Sequence, residues 1–223
     1  MRPLTRRQIA WRAAQDLADG AYVNLGLGMP VLVAAEAPAG REVVFHSENG
    51  IVGVGPLADE AAANPDLVDA GSQQVTLAAG AAIVDSAAAF AMIRGGHVDV
   101  TLLGGFQVSA EGDLANWDAM SPDKGPLVGG AMDLAVGARS VRVLMAHNTK
   151  QGTARLVGRC DYPLTAPAVV DRIYTDLAVI DVTTGGFLVR ETIDGLSPEA
   201  LRARTDAPLA FAEDCGRLRP PEL

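Results

Sequence analysis

Cysteine is scarce: the 223 residues include only Cys160 and Cys215. Two cysteines exclude a disulfide scaffold and a cysteine-rich zinc site, and both are expected to be reduced thiols of a cytoplasmic protein. Aromatic residues make up 4%, so alanine and glycine fill much of the interior and allow close backbone approach. Clustered basic charge is also missing. Beyond Arg6 and Arg7 no cationic run occurs, and the net charge of −9 argues against a nucleic-acid partner, whose phosphates need grouped Lys and Arg. A small polyanion is compatible with that balance, because local loops can override the global field. The opening stretch MRPLTRRQIAWRAAQ lacks the apolar core and cleavage site of a secretory signal. The one membrane-length stretch, 75–93, carries Asp85 near its centre, which costs roughly 2.5–3.5 kcal/mol in a bilayer, so no membrane partner is expected.

What is present is an ordinary globular balance, 49% hydrophobic and 20% charged, in a length that suits one domain. Thr5 and Gln8 match a capping box, Ile9, Ala13 and Leu17 share a helical face and Gly20 can stop it, which predicts a helix over about 6–19. AYVNL reads as a strand, GLGMP as a turn, and PVLVAAEA as a helix with Pro30 in first position. EVVFH and VTLAA are short strands. DSAAAFAMIRGG is a helix capped by Asp85 and stopped by Gly95, and VDVTLLGG and SVRVLMAH resemble strands buried on both faces of a parallel sheet. TTGG between LAVIDV and FLVRETI signals a hairpin, and Ser197 with Pro198 opens a last short helix. The expected architecture is α/β: an open, mostly parallel sheet flanked by helices, with an antiparallel excursion. Residues 1–208 form the domain, and 209–223 are expected to be a loose tail.

Ligands collect beyond the carboxyl ends of strands in such sheets. Gly26 and Gly28, Ser47 to Gly50, Gly104 and Gly105, and His147 and Asn148 all fall at those ends. No serine or cysteine triad pattern and no histidine–carboxylate cluster with metal-ligand spacing is visible, so no metal is expected. His46 and His97 read as packed residues. Most aspartates have cap or turn explanations. Glu48 has none, because a solvated glutamate does not require the frame of Ser47, Asn49, Gly50, Gly53 and Gly55.

SENGIVGVGP, DSAAAFAMIRGGHVDVTLLGG, GDLANW, VGGAMDLAVGA and RIYTDLAVIDV, in this order, resemble the B subunit of family I 3-oxoacid CoA-transferases from about Leu4 to Pro208. The resemblance implies a fold shared with sugar-phosphate isomerases. It makes Glu48 a covalent nucleophile and implies CoA transfer from an acyl-CoA, such as succinyl-CoA, to a 3-oxo acid such as acetoacetate or 3-oxoadipate. By the same resemblance, Asn49, Gly50, Gly129, Gly130 and Ala131 are substrate- or CoA-binding, and Gly129 is a backbone contact to the acyl group. Coenzyme A serves as substrate and covalent intermediate, with no permanently bound cofactor. The partner implied is an A-type subunit in a hetero-oligomer such as α2β2, with acyl-CoA and small carboxylic acids as ligands. His46 departs from the family pattern, in which glutamine or glutamate commonly precedes the serine.

Two other readings stand beside this one. A sugar-phosphate isomerase would want a hydroxyl and a free N–H in its phosphate turn, where LGLGMP places Met29 and Pro30, and proline has no N–H. A silent ligand-sensing or scaffolding module would have no use for an intact SENG.

Overall fold

Thr5 Oγ1 accepts from the Gln8 N–H at 3.2 Å and Gln8 Oε1 accepts from the Thr5 N–H at 3.0 Å, so the capping box opens a helix as expected. In the computed structural model, which describes residues 2–59, 61, 63–120 and 125–222, that helix is α1 (Arg6–Ala14). It is shorter than the sequence suggests because its last turn tightens: Asp16 N–H reaches Ala13 O and Leu17 N–H reaches Ala14 O, a 3-10 pattern that still buries Leu17. There follow β1 (Tyr22–Leu25), a 3-10 helix (Pro30–Glu36), β2 (Val44–Ser47), β3 (Ile51–Leu57), β4 (Val75–Ile83) and α2 (Ser86–Arg94). Next come β5 (Val100–Gly104), β6 (Gln107–Ser109), β7 (Leu114–Ala115), α3 (Ala131–Gly137) and β8 (Ser140–Leu144). The chain then forms β9 (Leu156–Val157), β10 (Val170–Tyr174), β11 (Ala178–Thr183), β12 (Gly186–Ile193), α4 (Pro198–Arg202) and β13 (Leu209–Leu218).

Ten strands form one sheet in the order β13-β12-β11-β10-β8-β5-β1-β2-β3-β4. From β10 through β2 every neighbouring pair is parallel. The TTGG hairpin joins β11 to β12 antiparallel, and β3 and β4 make an antiparallel flank at the other edge. A small second sheet, β7-β6-β9, packs alongside. The path from β1 to β2 runs one way across the sheet and the path from β5 to β8 runs the other. Right-handed crossovers therefore put the 3-10 helix and α3 on opposite faces, and the direction reverses between β1 and β5. That reversal is the place where open α/β sheets hold ligands.

Two expectations, for PVLVAAEA and for the C-terminal tail, are corrected. PVLVAAEA is a 3-10 helix rather than an α-helix: it has no side-chain cap and ends at Ala37, which precedes Pro38 and is extended at ψ 135°. IVGVGPL, for all its glycines and proline, is the strand β3; register shifts between Val52 and Val54 and between Val54 and Leu57 absorb its irregular residues. The stretch 168–175 contains β10. The tail expected to be loose is, through Leu218, the edge strand β13. It pairs parallel with β12 from Phe187↔Leu209 to Ile193↔Leu218 and buries both leucines. Backbone pairing and those two anchors override the Gly- and Pro-containing composition. Among the described residues no helix is long and apolar enough to cross a membrane.

Candidate active site

β2 ends at Ser47 and β3 begins at Ile51, so Glu48, Asn49 and Gly50 are the loop of a tight hairpin. Gly50 has φ +123°, and a Cβ there would press into the carbonyl of Val84, with the carbonyl carbon only 3.2 Å away. Here the glycine is required twice, by conformation and by space. The hairpin is pinned by Gly50 N–H to Ser47 O at 2.9 Å, by Val84 N–H to Gly50 O at 2.9 Å and by the Ala70 N–H donated to Ser47 Oγ at 2.9 Å.

Glu48, half-buried, leaves this rigid turn beside β1. Asn24, in register with His46 on the neighbouring strand and wholly buried, donates from Nδ2 toward Glu48 Oε2 at 3.3 Å. The same nitrogen lies 3.0 Å from His46 Nδ1 and 3.2 Å from His46 O. Thr101 of β5 stands in register on the other side of Asn24, so His46, Asn24 and Thr101 form a polar row across three parallel strands. His46 Nε2, Asn24 Oδ1 and Thr101 Oγ1 are buried and find no partner among the described residues. Burial pushes the His46 imidazole below its ordinary value, so the ring is neutral at neutral pH.

The opposite wall comes from α2 and α3. A Cβ on Gly130, the residue that caps α3, would lie 2.8 Å from Phe90 Cζ and 3.7 Å from Glu48 Cγ. Arg94, the last residue of α2, pairs with Asp133 at 3.1 Å and stacks 5.9 Å from the Phe90 ring centroid. A separate, mostly apolar cavity of about 510 Å³ lies on the 3-10 helix side, bounded by Leu25, Val31, Phe45, Ser47, Val54 and Asp69; its lining does not include Glu48.

The structure thus brings together Glu48 and Gly130, with Ala131 half-buried as the first residue of α3. Asn49 is exposed, and its Nδ2 donates to Val68 O at 2.8 Å, away from Glu48. Gly129 is exposed, and a Cβ added to it would meet nothing within 4 Å. Sequence reasoning does not single out Asn24, although a signal for it exists: a lone amide closes the apolar run YVNL at the carboxyl end of a strand. Among the described residues no group of three or more His, Cys, Asp or Glu could hold a metal. His147 is structural: its ring bonds Thr175 Oγ1 at 3.1 Å and Thr205 Oγ1 at 2.9 Å.

Comparison with known proteins matches residues 6–203 to the coenzyme A transferase family. The chain is 49% identical over 209 residues to the B subunit of 3-oxoadipate CoA-transferase from Acinetobacter baylyi, covering 94% of this chain and 96% of that protein. It is 44% identical over 205 residues to the B subunit of succinyl-CoA:3-ketoacid coenzyme A transferase from Helicobacter pylori, covering 91% and 97% respectively. The acyl-CoA transferase YdiF of Escherichia coli O157:H7 superposes with a TM-score of 0.76 at 18% identity, covering 96% of this chain and 43% of YdiF, a likeness of fold alone.

Proposed function

Because this chain belongs to the coenzyme A transferase family, we propose that it supplies the nucleophilic carboxylate, Glu48, of a two-chain enzyme that moves CoA from an acyl-CoA to a 3-oxo acid. The observation that carries the reading is Glu48 on a rigid hairpin, one oxygen facing a buried amide donor at 3.3 Å and its stem beside Gly130. A carboxylate held by one oxygen presents the other for attack.

The chemistry runs in two halves. The free oxygen of Glu48 attacks the acyl carbon of the thioester and the C–S bond breaks, leaving a mixed anhydride and CoA thiolate. The thiolate attacks the glutamyl carbonyl and the acyl carboxylate departs, giving a γ-glutamyl-CoA thioester and the free acid. A second acid then attacks the glutamyl thioester and the steps reverse. Each tetrahedral intermediate places charge on an oxygen. Where the glutamyl carbon is attacked, Asn24 Nδ2 is already within reach of that oxygen, the kind of fixed donor worth roughly 3–4 kcal/mol in rate. Gly129, Gly130 and Ala131 line the approach to the thioester, and Asn49 and Gly50 shape the hairpin.

Succinyl-CoA as donor and a 3-keto acid as acceptor, 3-oxoadipate among them, are supported by what the relatives are named for; acetoacetate is a second acceptor of that class. An A-type partner, in an assembly such as α2β2, is supported by their naming as B subunits and by the fraction of YdiF that this chain spans. Exposed Leu127, Val128, Met132 and Val136 surround the Gly129–Gly130 turn, an apolar group of the kind a partner covers. The test is to incubate the chain, with its A-type subunit, with succinyl-CoA and map CoA adducts by mass spectrometry. The adduct is expected on the peptide containing Glu48 and absent in Glu48→Gln. An adduct on another carboxylate, or near-native turnover in Glu48→Gln, overturns the reading.

A further inference from the structure

Asn24 Nδ2 carries two hydrogens and has three acceptors around it: His46 Nδ1 at 3.0 Å, His46 O at 3.2 Å and Glu48 Oε2 at 3.3 Å. The shortest of these contacts is possible only if His46 Nδ1 has no proton, which puts the ring hydrogen on Nε2. We propose that His46 is a positioning residue: its neutral, Nε2-protonated form fixes the side-chain amide of Asn24 with nitrogen toward Glu48, and so selects which Glu48 oxygen is held and which attacks. The inference rests on Glu48 being the nucleophile and adds to it a residue that acts through Asn24.

The alternatives to this ring state all disturb Asn24. A proton on Nδ1 would oppose an N–H to an N–H. Relief would come from displacing the ring or from turning the amide, and a turned amide sets Asn24 Oδ1 against both His46 O and Glu48 Oε2, acceptor against acceptor. A charged ring is opposed at Nδ1, where it too would set an N–H against the Asn24 amide N–H. Burial acts in the same direction, holding the imidazole below 6.5. The groups facing the ring bring little charge of their own. β1 presents Asn24 and β3 presents Val52, Glu48 lies beyond Asn24, Asp85 caps α2, and Arg94 and Asp133 are paired with each other in the open. Asn24 is itself rigid, being wholly buried between two parallel neighbours, so the ring state is passed to the carboxylate without slack.

The experiment uses the complex with its A-type subunit and follows, by quenched mass spectrometry, the rate of Glu48–CoA thioester formation from succinyl-CoA across pH. His46→Phe, which keeps bulk but removes the acceptor, is expected to slow that step by about tenfold to a hundredfold, with KM for succinyl-CoA changed far less. His46→Asn, whose Oδ1 stands near the former Nδ1, is expected to restore most of the rate and to lose the part of the acid limb below pH 6.5 that belongs to the ring. A long-range proton–nitrogen NMR spectrum of the wild-type chain, assigned with His46→Asn, should show the Nε2–H tautomer at neutral pH. That measurement needs no active variant. A wild-type rate in His46→Phe, an unchanged acid limb in His46→Asn, or an Nδ1-protonated ring overturns the proposal while a Glu48 adduct still forms. Absence of the adduct in the wild type would sink the nucleophile reading and this inference together.

Discussion

Gly130 stands directly against Phe90: a methyl group on its Cα would fall 2.8 Å from the ring's Cζ and 2.9 Å from its Cε1. Gly130 has φ −72°, so the requirement is for space and not for backbone freedom. Gly130→Ala should therefore push Phe90 aside next to Glu48 and lower turnover about tenfold or more, since small displacements in a positioned reaction are costly. Gly129 is the contrast. Gly129→Val should leave the thermal stability of the isolated chain unchanged, because nothing lies within 4 Å of its Cβ, and lower turnover through contact with bound thioester. Steady-state kinetics of the complex and a melting curve of each variant decide both.

Glu48→Asp draws the oxygen back by about 1 Å, out of line with the acyl carbon and away from Asn24. A loss on the order of 100-fold in turnover is expected. Asn24→Ala removes the donor while leaving the carboxylate, and should slow thioester formation roughly 100- to 1,000-fold. Equal rates of thioester formation in Asn24→Ala and wild type would remove Asn24 from the mechanism.

Acid sensitivity should follow His147. Burial, helped by Arg204, lowers its pKa from 6.5 to about 4. The folded value lies below the unfolded one, so on acidification the unfolded chain takes up the proton first. The stability is fully present above pH 6.5, falls as pH drops toward about 4, and amounts to up to about 3 kcal/mol. Urea midpoints measured across that window should fall in the wild type and flatten in His147→Gln, which is less stable throughout.

Asp16 joins α1 to the sheet. It accepts from Arg12 Nη1, Arg172 Nη1 and Tyr174 Oη, each at 2.7 Å, while Arg12 also clasps Glu191, and Asp181 joins Arg172 to Arg190. Burial works to raise the Asp16 carboxyl, yet the hydrogen bonds from Arg12, Tyr174 and Arg172 together hold it below its ordinary 3.8. Its contribution is therefore present above pH 3.8 and lost as pH falls below that. Asp16→Asn should cost roughly 2–3 kcal/mol, the lower side of breaking a buried pair, because the site is partly open to water. Tyr174→Phe should cost about 1–2 kcal/mol. Chemical denaturation of the isolated chain gives both values, and the reverse ranking would show that the network is held by the tyrosine.

By itself the sequence determined what depends on local chemistry. The caps at Thr5, Asp85 and Ser197, the stop at Gly95, the TTGG hairpin and the buried parallel strands follow from side-chain hydrogen bonds, glycine freedom and apolar runs, all of which act within a few residues. The prominence of Glu48 was legible in the same way, as a carboxylate in a frame too narrow for a solvated turn. Long-range pairing was hidden. β3 and β13 exist because a neighbouring strand satisfies their backbone, and no residue in IVGVGPL or LAFAEDCGRL announces that neighbour. The partners of Glu48 were hidden for the same reason. Asn24, His46 and Thr101 are 77 residues apart from first to last, and only the parallel register of three strands puts them in one row. Asn49, adjacent in sequence, is turned toward Val68 because a hairpin sends successive side chains to different sides. Neighbours along the chain single out Glu48, and the sheet decides what surrounds it.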